Sequence, residues 1–276
     1  MPAKKSIATT KDIQNIFSMA MYDNPNIVET SFDLNYISEH LLQAQWAEFV
    51  ELKKVITNVS NQQNRPISIL DIGIGNARIP KHLCGVKEIW DRIVRYDGTD
   101  NAAACIKIST ETIHRLKIED KVGVHLFEAT NLKNWQQQHD LIIITWFTAG
   151  NFYPDNFKFD AYENNKQILN LSTNEKFTHI FKSACDLLLP GGEIVLGACY
   201  LDTPATRLKQ EESYKKMGMT VITKPEDSFT ATREGFWSQR FTQQKLETYL
   251  SFTAKENIII TPLDTYDYAI QVRIKK

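Results

Sequence analysis

The chain has 276 residues, 42% hydrophobic and 24% charged, with 32 Lys and Arg against 33 Asp and Glu for a net charge of −1. This length suits one α/β domain with additions, and the near-neutral balance argues against a dedicated electrostatic grip on nucleic acid. No apolar run approaches a membrane span and the N-terminus lacks an apolar signal core, so a cytoplasmic protein with no membrane partner is expected.

Taken in order, Thr9 or Thr10 is placed to cap a helix carrying Ile13, Ile16, Phe17 and Ala20, which Tyr22-Asp23-Asn24-Pro25-Asn26 breaks. A longer helix is predicted from about Tyr36 to Val59, with Ile37, Leu41, Ala44, Phe49, Leu52, Val55, Ile56 and Val59 at helical spacing. The polar stretch Gln62 to Pro66 then separates an N-terminal helical extension, residues 1–62, from the remainder, 63–276.

The second part opens with an apolar run, Ile67 to Ile72, that ends in Gly73-Ile74-Gly75-Asn76-Ala77 and passes into a helix-compatible stretch. Strand, tight turn and helix in that order put two glycines at the mouth of an α/β sheet, where a ligand can lie against bare backbone. A second strand around Ile93 to Tyr96 leads to Gly98-Thr99-Asp100-Asn101, and Ala102 to Leu116 continues as a helix. Asp100 stands where a carboxylate can accept hydrogen bonds from ribose hydroxyls. A third strand, Val122 to Phe127, ends in Glu128-Ala129-Thr130, and a fourth, Leu141 to Thr145, runs into Trp146-Phe147-Thr148-Ala149-Gly150-Asn151-Phe152. An aromatic irregular segment follows, Tyr153 to Asn164, then an amphipathic helix with Phe177, Ile180, Phe181 and Ala184. Leu188-Leu189-Pro190-Gly191-Gly192 turns into a fifth strand, Ile194 to Cys199. Beyond it lie an exposed helix, Thr206 to Lys216, and extended stretches near Val221 and from Phe229 to Arg240. A last helix begins at Phe241-Thr242, and strands Ile258 to Thr261 and Tyr268 to Ile274 close the chain, joined by a turn over Leu263 to Tyr266. The short turn makes this final pair antiparallel, and the alternation before it calls for a largely parallel sheet.

On Asp71-x-Gly73-x-Gly75, the acidic end of the second strand, the polar end of the third and Leu-Pro-Gly-Gly before the fifth, the chain resembles the class I methyltransferases that use S-adenosylmethionine. The resemblance implies a Rossmann-like α/β fold: a seven-stranded, mostly parallel sheet with an antiparallel C-terminal strand pair, behind the N-terminal extension. It implies S-adenosyl-L-methionine as cofactor, bound by Asp71, Gly73, Gly75, Asp100, Asn101, Glu128, Ala129 and Trp146. Thr148-x-Gly150-Asn151 is similar to a segment of the histidine N-methyltransferases of ergothioneine biosynthesis, in which the asparagine holds the substrate amino acid. That likeness points to a small-molecule acceptor and to Asn151 as the residue at the reacting centre. Tyr22, Tyr36, Phe147, Asn151, Phe152, Tyr153, Phe236 and Trp237 are the candidate acceptor contacts. A protein or RNA methyltransferase, and a non-catalytic regulatory protein on the same fold, are the competing readings. The four cysteines, Cys84, Cys105, Cys185 and Cys199, have no CxxC spacing and read as reduced core thiols. The six histidines show no metal-binding spacing, so no metal is expected.

Overall fold

Six consecutive buried residues, Ile67–Ile72, form the strand β1, which the rest of the sheet flanks on both sides. The computed structural model describes residues 37–263 and 268–276; the first predicted helix and most of the final turn lie outside the described residues. Next to β1 run β2 (Ile93–Asp100) and β3 (Val122–Leu126) on one side, and β4 (His139–Ile144) and β5 (Leu188–Leu201) on the other, all parallel. The last two strands, β8 (Ile258–Pro262) and β9 (Ala269–Lys275), pair antiparallel, and β9 lies antiparallel along β5. Those seven strands match the sheet expected from the sequence. Among the described residues the sheet has nine strands, because the stretch from Phe229 folds into a hairpin, β6 (Phe229–Ala231) and β7 (Trp237–Phe241).

The hairpin attaches where β5 outruns β4. β4 pairs with β5 as far as Leu196, and β7 takes over at Tyr200 and Leu201, with β9 on the opposite edge. It therefore stands above the carboxyl end of β4. Arg240 fastens it: the fully buried guanidinium donates to Gln210 Oε1 at 2.6 Å and Thr230 Oγ1 at 2.8 Å. Gln210 belongs to α7 (Pro204–Lys216), which buries Thr206, Gln210, Ser213 and Tyr214 rather than lying exposed as its charge pattern implied.

Helices cover both faces. α1 (Glu39–Gln63), α2 (Arg78–Cys84), the single turn α3 (Lys87–Trp90) and α4 (Ala103–Leu116) bury Leu52, Val55, Ile56, Ile79, Leu83 and Ile113 against Ile69, Tyr96, Ile143 and Val195. The opposite face takes α6 (Glu175–Asp186), with Phe177, Ile180 and Phe181, and α8 (Gln243–Tyr249), with Leu246 and Tyr249. Both have built starts: Asn174 caps α6 by accepting from Phe177 N, and Thr242 caps α8 by accepting from Lys245 N. The aromatic insertion holds one short helix, α5 (Phe159–Glu163), and packs Phe157 and Tyr162 on Phe229 and Trp237 of the hairpin. The Pro190-Gly191-Gly192 turn bulges within β5, since the partner register passes from Leu188 to Glu193 while β4 advances from His139 to Leu141.

A second irregularity in β5 places a charge in the core. Between Leu196 and Cys199 the register against β9 slips by one residue, a bulge at Gly197-Ala198. Fully buried Glu48 of α1 occupies the room that Gly197 leaves, and a Cβ on Gly197 would collide with Glu48 Oε1. Gly197→Ala is expected to displace Glu48 and destabilise the protein by about 1–3 kcal/mol, as overpacking does; a lowered denaturant midpoint at unchanged slope is the measurement that checks it.

Candidate active site

The sheet's carboxyl edge brings together the turn after β1, the end of β2 and the turn after β4. After β1 the chain is held to β2 by Gly73 N and Ile74 N, which both donate to Thr99 O at 2.8 Å. Gly73, Gly75 and Ala77 take φ of 83°, 58° and 60°, so the turn runs through left-handed backbone that glycine adopts without strain. A Cβ at Gly73 would lie 2.9 Å from Thr148 Cγ2, so the glycine turn and the turn after β4 are in contact.

Asp100 ends β2 beside this turn. Gly75 N donates to its Oδ2 and Ala102 N to its Oδ1, each at 3.0 Å. Burial pushes the carboxyl upward from its ordinary value, while the backbone N–H donors of Ala102, Gly75 and Asn101 pull it down. Asn101 and Glu128 lie exposed across the ends of β2 and β3, joined by a 3.0 Å bond from Asn101 Nδ2 to Glu128 Oε2, and Ala129 is buried behind them.

Asp71 sits one layer deeper. It is buried, with Oδ2 accepting from Tyr96 O–H at 2.5 Å and Oδ1 without a hydrogen-bond partner. Burial raises its carboxyl from 3.8 to about 7, against the Tyr96 hydrogen bond and the Arg78 charge, which lower it. Arg78 opens α2, pairs with Glu48 and lies 5.2 Å over the Trp146 ring. Glu48 Oε1 also accepts from Trp146 N at 2.8 Å. Trp146 and Phe147 both have left-handed backbone, φ 54° and 61°, which lacks glycine's freedom here and is held by that bond and by Phe147 N donating to Ala198 O.

The 3₁₀ turn Thr148–Asn151 follows, placing half-buried Asn151 at the sheet edge. The hairpin approaches it so closely that a Cβ on Gly150 would meet Gln239 O at 2.9 Å. Phe152 and Tyr153 are half-buried beyond the turn, and Phe236 packs edge-on against Tyr214 at 4.7 Å. Two other candidate walls are enclosed: Phe147 stacks on Tyr200 at 3.8 Å, and Trp237, 2% exposed, stacks on Phe229 at 3.9 Å. Tyr22 and Tyr36 lie outside the described residues. Glu48, Tyr96 and Arg78 join the site without having been singled out in the sequence, and Thr148, noted there only as part of a motif, is the contact to the glycine turn. Glu48 alone left a trace there, as a charge on the apolar stripe of α1.

Among the described residues no three His, Cys, Asp or Glu side chains are arranged to hold a metal ion, and no helix is long and apolar enough to cross a membrane. No protein-family model and no curated protein matches the sequence. Solved structures do match. The chain is similar to the plantazolicin methyltransferase in complex with a triazolic desmethyl-plantazolicin analogue and S-adenosylhomocysteine, with a TM-score of 0.58, 13% identity and 96% of each chain covered. It is similar to the magnesium protoporphyrin IX methyltransferase of Synechocystis PCC 6803 with bound S-adenosylhomocysteine, with a TM-score of 0.55, 10% identity, and 96% of this chain and 98% of that one covered. A third is the 1,6-didemethyltoxoflavin-N1-methyltransferase of Burkholderia thailandensis, at a TM-score of 0.52 and 11% identity, covering 100% of this chain and 93% of that one. The fold is that of the class I methyltransferases. With the extra hairpin set aside, the strands of this chain run β3-β2-β1-β4-β5-β9-β8, the last strand antiparallel beside β5.

The buried acid ties this site to pH. A carboxyl near 7 in the folded state and 3.8 in the unfolded chain keeps its proton longer when folded, so its contribution to stability falls as pH rises between those values. His139 works the other way. It is buried at the start of β4, with Trp135 Nε1 donating to its Nε2 at 3.1 Å, and burial lowers it from 6.5 to about 4. Its contribution is lost as pH falls through that window. Asp71→Asn is therefore expected to gain stability relative to wild type by a few kcal/mol (~2–4) as pH rises from about 4 to about 7, whereas His139→Gln gains relative to wild type as pH falls. Thermal midpoints measured across that range check both signs.

Proposed function

We propose that the protein is an S-adenosylmethionine-dependent methyltransferase acting on a small-molecule acceptor, an amine, amino acid or hydroxyl. The observation that carries this reading is the convergence of the glycine turn, the carboxylate of Asp100 and the buried acid Asp71 at one edge of a methyltransferase-type sheet. The residues fit the cofactor on their own chemistry. Gly73 and Gly75 leave backbone bare, Asp100 is oriented by two backbone N–H groups with lone pairs left over, and Asp71 keeps a buried oxygen unmet. When bound, the cofactor supplies a methyl carbon already activated by its sulfonium.

What is asked of the chain is positioning and the exclusion of water. In this reading Asp100 accepts from the ribose hydroxyls, Asn101, Glu128 and Ala129 border the adenine, and Trp146 stands near the sulfonium. Asn151 holds the acceptor, between Phe152, Tyr153 and Phe236. The acceptor approaches over β4, whose carboxyl end carries the Thr148–Asn151 turn and lies beneath the hairpin. Residues 1–62 are proposed as the extension and 63–276 as the catalytic domain, with Tyr22 and Tyr36 as acceptor contacts. The small acceptors named for the similar toxoflavin and protoporphyrin enzymes support a small-molecule substrate, as does the net charge of −1.

Asp100→Ala is expected to weaken S-adenosylhomocysteine binding by about 1.5–3 kcal/mol, roughly 10- to 150-fold, by leaving ribose hydroxyls unpaired. Gly73→Val should weaken it as well, since its side chain is driven into Thr148. Titration calorimetry measures both, and wild-type affinity in Asp100→Ala would sink the assigned cofactor register. Once an acceptor is found by screening amines and amino acids for release of S-adenosylhomocysteine, Asn151→Ala should lower methylation far more than cofactor affinity. Equal losses would make Asn151 a cofactor or structural residue.

A further inference from the structure

The link from β3 to β4 crosses the sheet without an α-helix. A six-residue 3₁₀ turn, Ala129–Asn134, and a short polar loop make the passage. From Asn131 to Gln138 every residue is exposed except Leu132, which is buried, and Trp135, which is half-buried. Two side chains therefore fasten a segment that leaves from Glu128, beside the end of β2. Leu132 sits in the apolar core with Phe177, Ile180 and Phe181 of α6. Trp135 is held in another way.

Its indole meets His125 of β3 and Phe127 just beyond β3 edge to face, at 5.1 and 5.2 Å between ring centres. Phe127 N donates to Asp100 O at 2.8 Å, and Glu128 Oε2 accepts from Asn101. Whatever fixes Phe127 therefore also fixes the Glu128 carboxylate against the end of β2. Packing does not settle the indole on its own, because a cavity of about 210 Å³ opens beside it, lined by Asp97, His125 and Trp135 itself. What sets its direction is a hydrogen bond: Trp135 Nε1 donates at 3.1 Å to Nε2 of His139, a residue with no exposed surface. An indole N–H can only donate, so the neutral imidazole carries its own proton on Nδ1, which faces Asp97 Oδ2 at 4.0 Å. The imidazolium has two donors and no acceptor, and would release the indole. Burial lowers His139 to about 4, against the Asp97 charge, so the acceptor persists at neutral pH.

We propose that Trp135, aimed by His139, is a positioning residue that sets base preference at the cofactor site by holding Phe127 and Glu128 beside Asp100 and Asn101. The inference rests on the methyltransferase reading above, in which Asn101, Glu128 and Ala129 border the adenine, and adds to it two residues that touch no ligand. A carboxylate at that border accepts from an exocyclic amino group and repels a carbonyl oxygen, so where it is held decides which purine is favoured. His139 opens β4, and the Thr148–Asn151 turn follows its other end. One strand thus carries the support of the base at its start and the acceptor turn after its finish.

The test is calorimetry at pH 7 with two ligands that differ at the base: S-adenosylhomocysteine, and S-inosylhomocysteine, which has a carbonyl oxygen in place of the amino group. Wild type should prefer the first by roughly 10-fold or more. Trp135→Phe keeps a ring against Phe127 but loses the N–H, and His139→Leu loses the acceptor. Each should bring the preference down to about 2- to 3-fold, because Glu128 then occupies its position only part of the time. His139→Gln offers a carbonyl oxygen to the indole and should restore the wild-type preference. Trp135→Phe, at a half-buried position, carries the test if the Leu variant does not fold. A preference that survives both Trp135→Phe and His139→Leu overturns the inference. So do equal losses for the two ligands, which make the pair merely structural, and a Gln variant that behaves like the Leu variant. Equal wild-type affinity for the two ligands overturns it too and leaves the methyltransferase reading standing, whereas folded wild type that binds neither overturns that reading itself.

Discussion

Glu48 is a carboxylate with no exposed surface, on a helix whose neighbouring core positions are apolar. Burying such a charge is strongly unfavourable unless it is paired and hydrogen-bonded. Here each oxygen is used: one takes the Trp146 N–H, the other the Arg78 guanidinium. The space it occupies exists because residue 197 is glycine and because β5 bulges there against β9. One side chain therefore couples α1, the start of α2, the turn after β4 and the middle of β5.

The shape of the sheet's carboxyl edge depends on that coupling. Two successive non-glycine residues in left-handed backbone, Trp146 and Phe147, redirect the chain out of β4. The strain is tolerated because Glu48 and Ala198 O hold the two N–H groups. The redirected chain then meets the glycine turn through Thr148 and Gly73, and the hairpin through Gly150 and Gln239. The glycine turn and the turn after β4 are thereby brought into contact through the Thr148 side chain. The hairpin that roofs this edge is fixed from the other end, by Arg240 bridging Gln210 of α7, Thr230 and the Phe229 carbonyl oxygen of β6, and the loop carbonyl oxygen of Asp227.

Charge is handled differently in the two halves of the sheet. On the α1 face near the carboxyl edge, Asp71 is held near neutrality beside a charged Arg78–Glu48 pair. On the opposite face near the start of β4, His139 is kept neutral by burial and by accepting the Trp135 indole N–H, with Asp97 Oδ2 at 4.0 Å. There too two buried atoms lack a hydrogen-bond partner, His139 Nδ1 and Asp97 Oδ2.

The core strands were legible in the sequence because fully buried parallel strands are short continuous apolar runs, and Ile67–Ile72 was delimited to the residue. Glycines at 73 and 75 and the acid at 100 were legible too, since each answers a local requirement of turn or strand end. What the sequence could not reveal were relations between distant segments. Nothing local says that Glu48 reaches Arg78 and Trp146, that Trp237 and Phe147 fill their aromatic positions as core, or that β7 would pair with the overhang of β5 rather than stay a loop. Those outcomes are decided by which strand outruns its neighbour and where a missing Cβ leaves room. Such properties belong to the packed sheet, because an electrostatic or steric partner has meaning only once two remote stretches of chain share the same few ångströms.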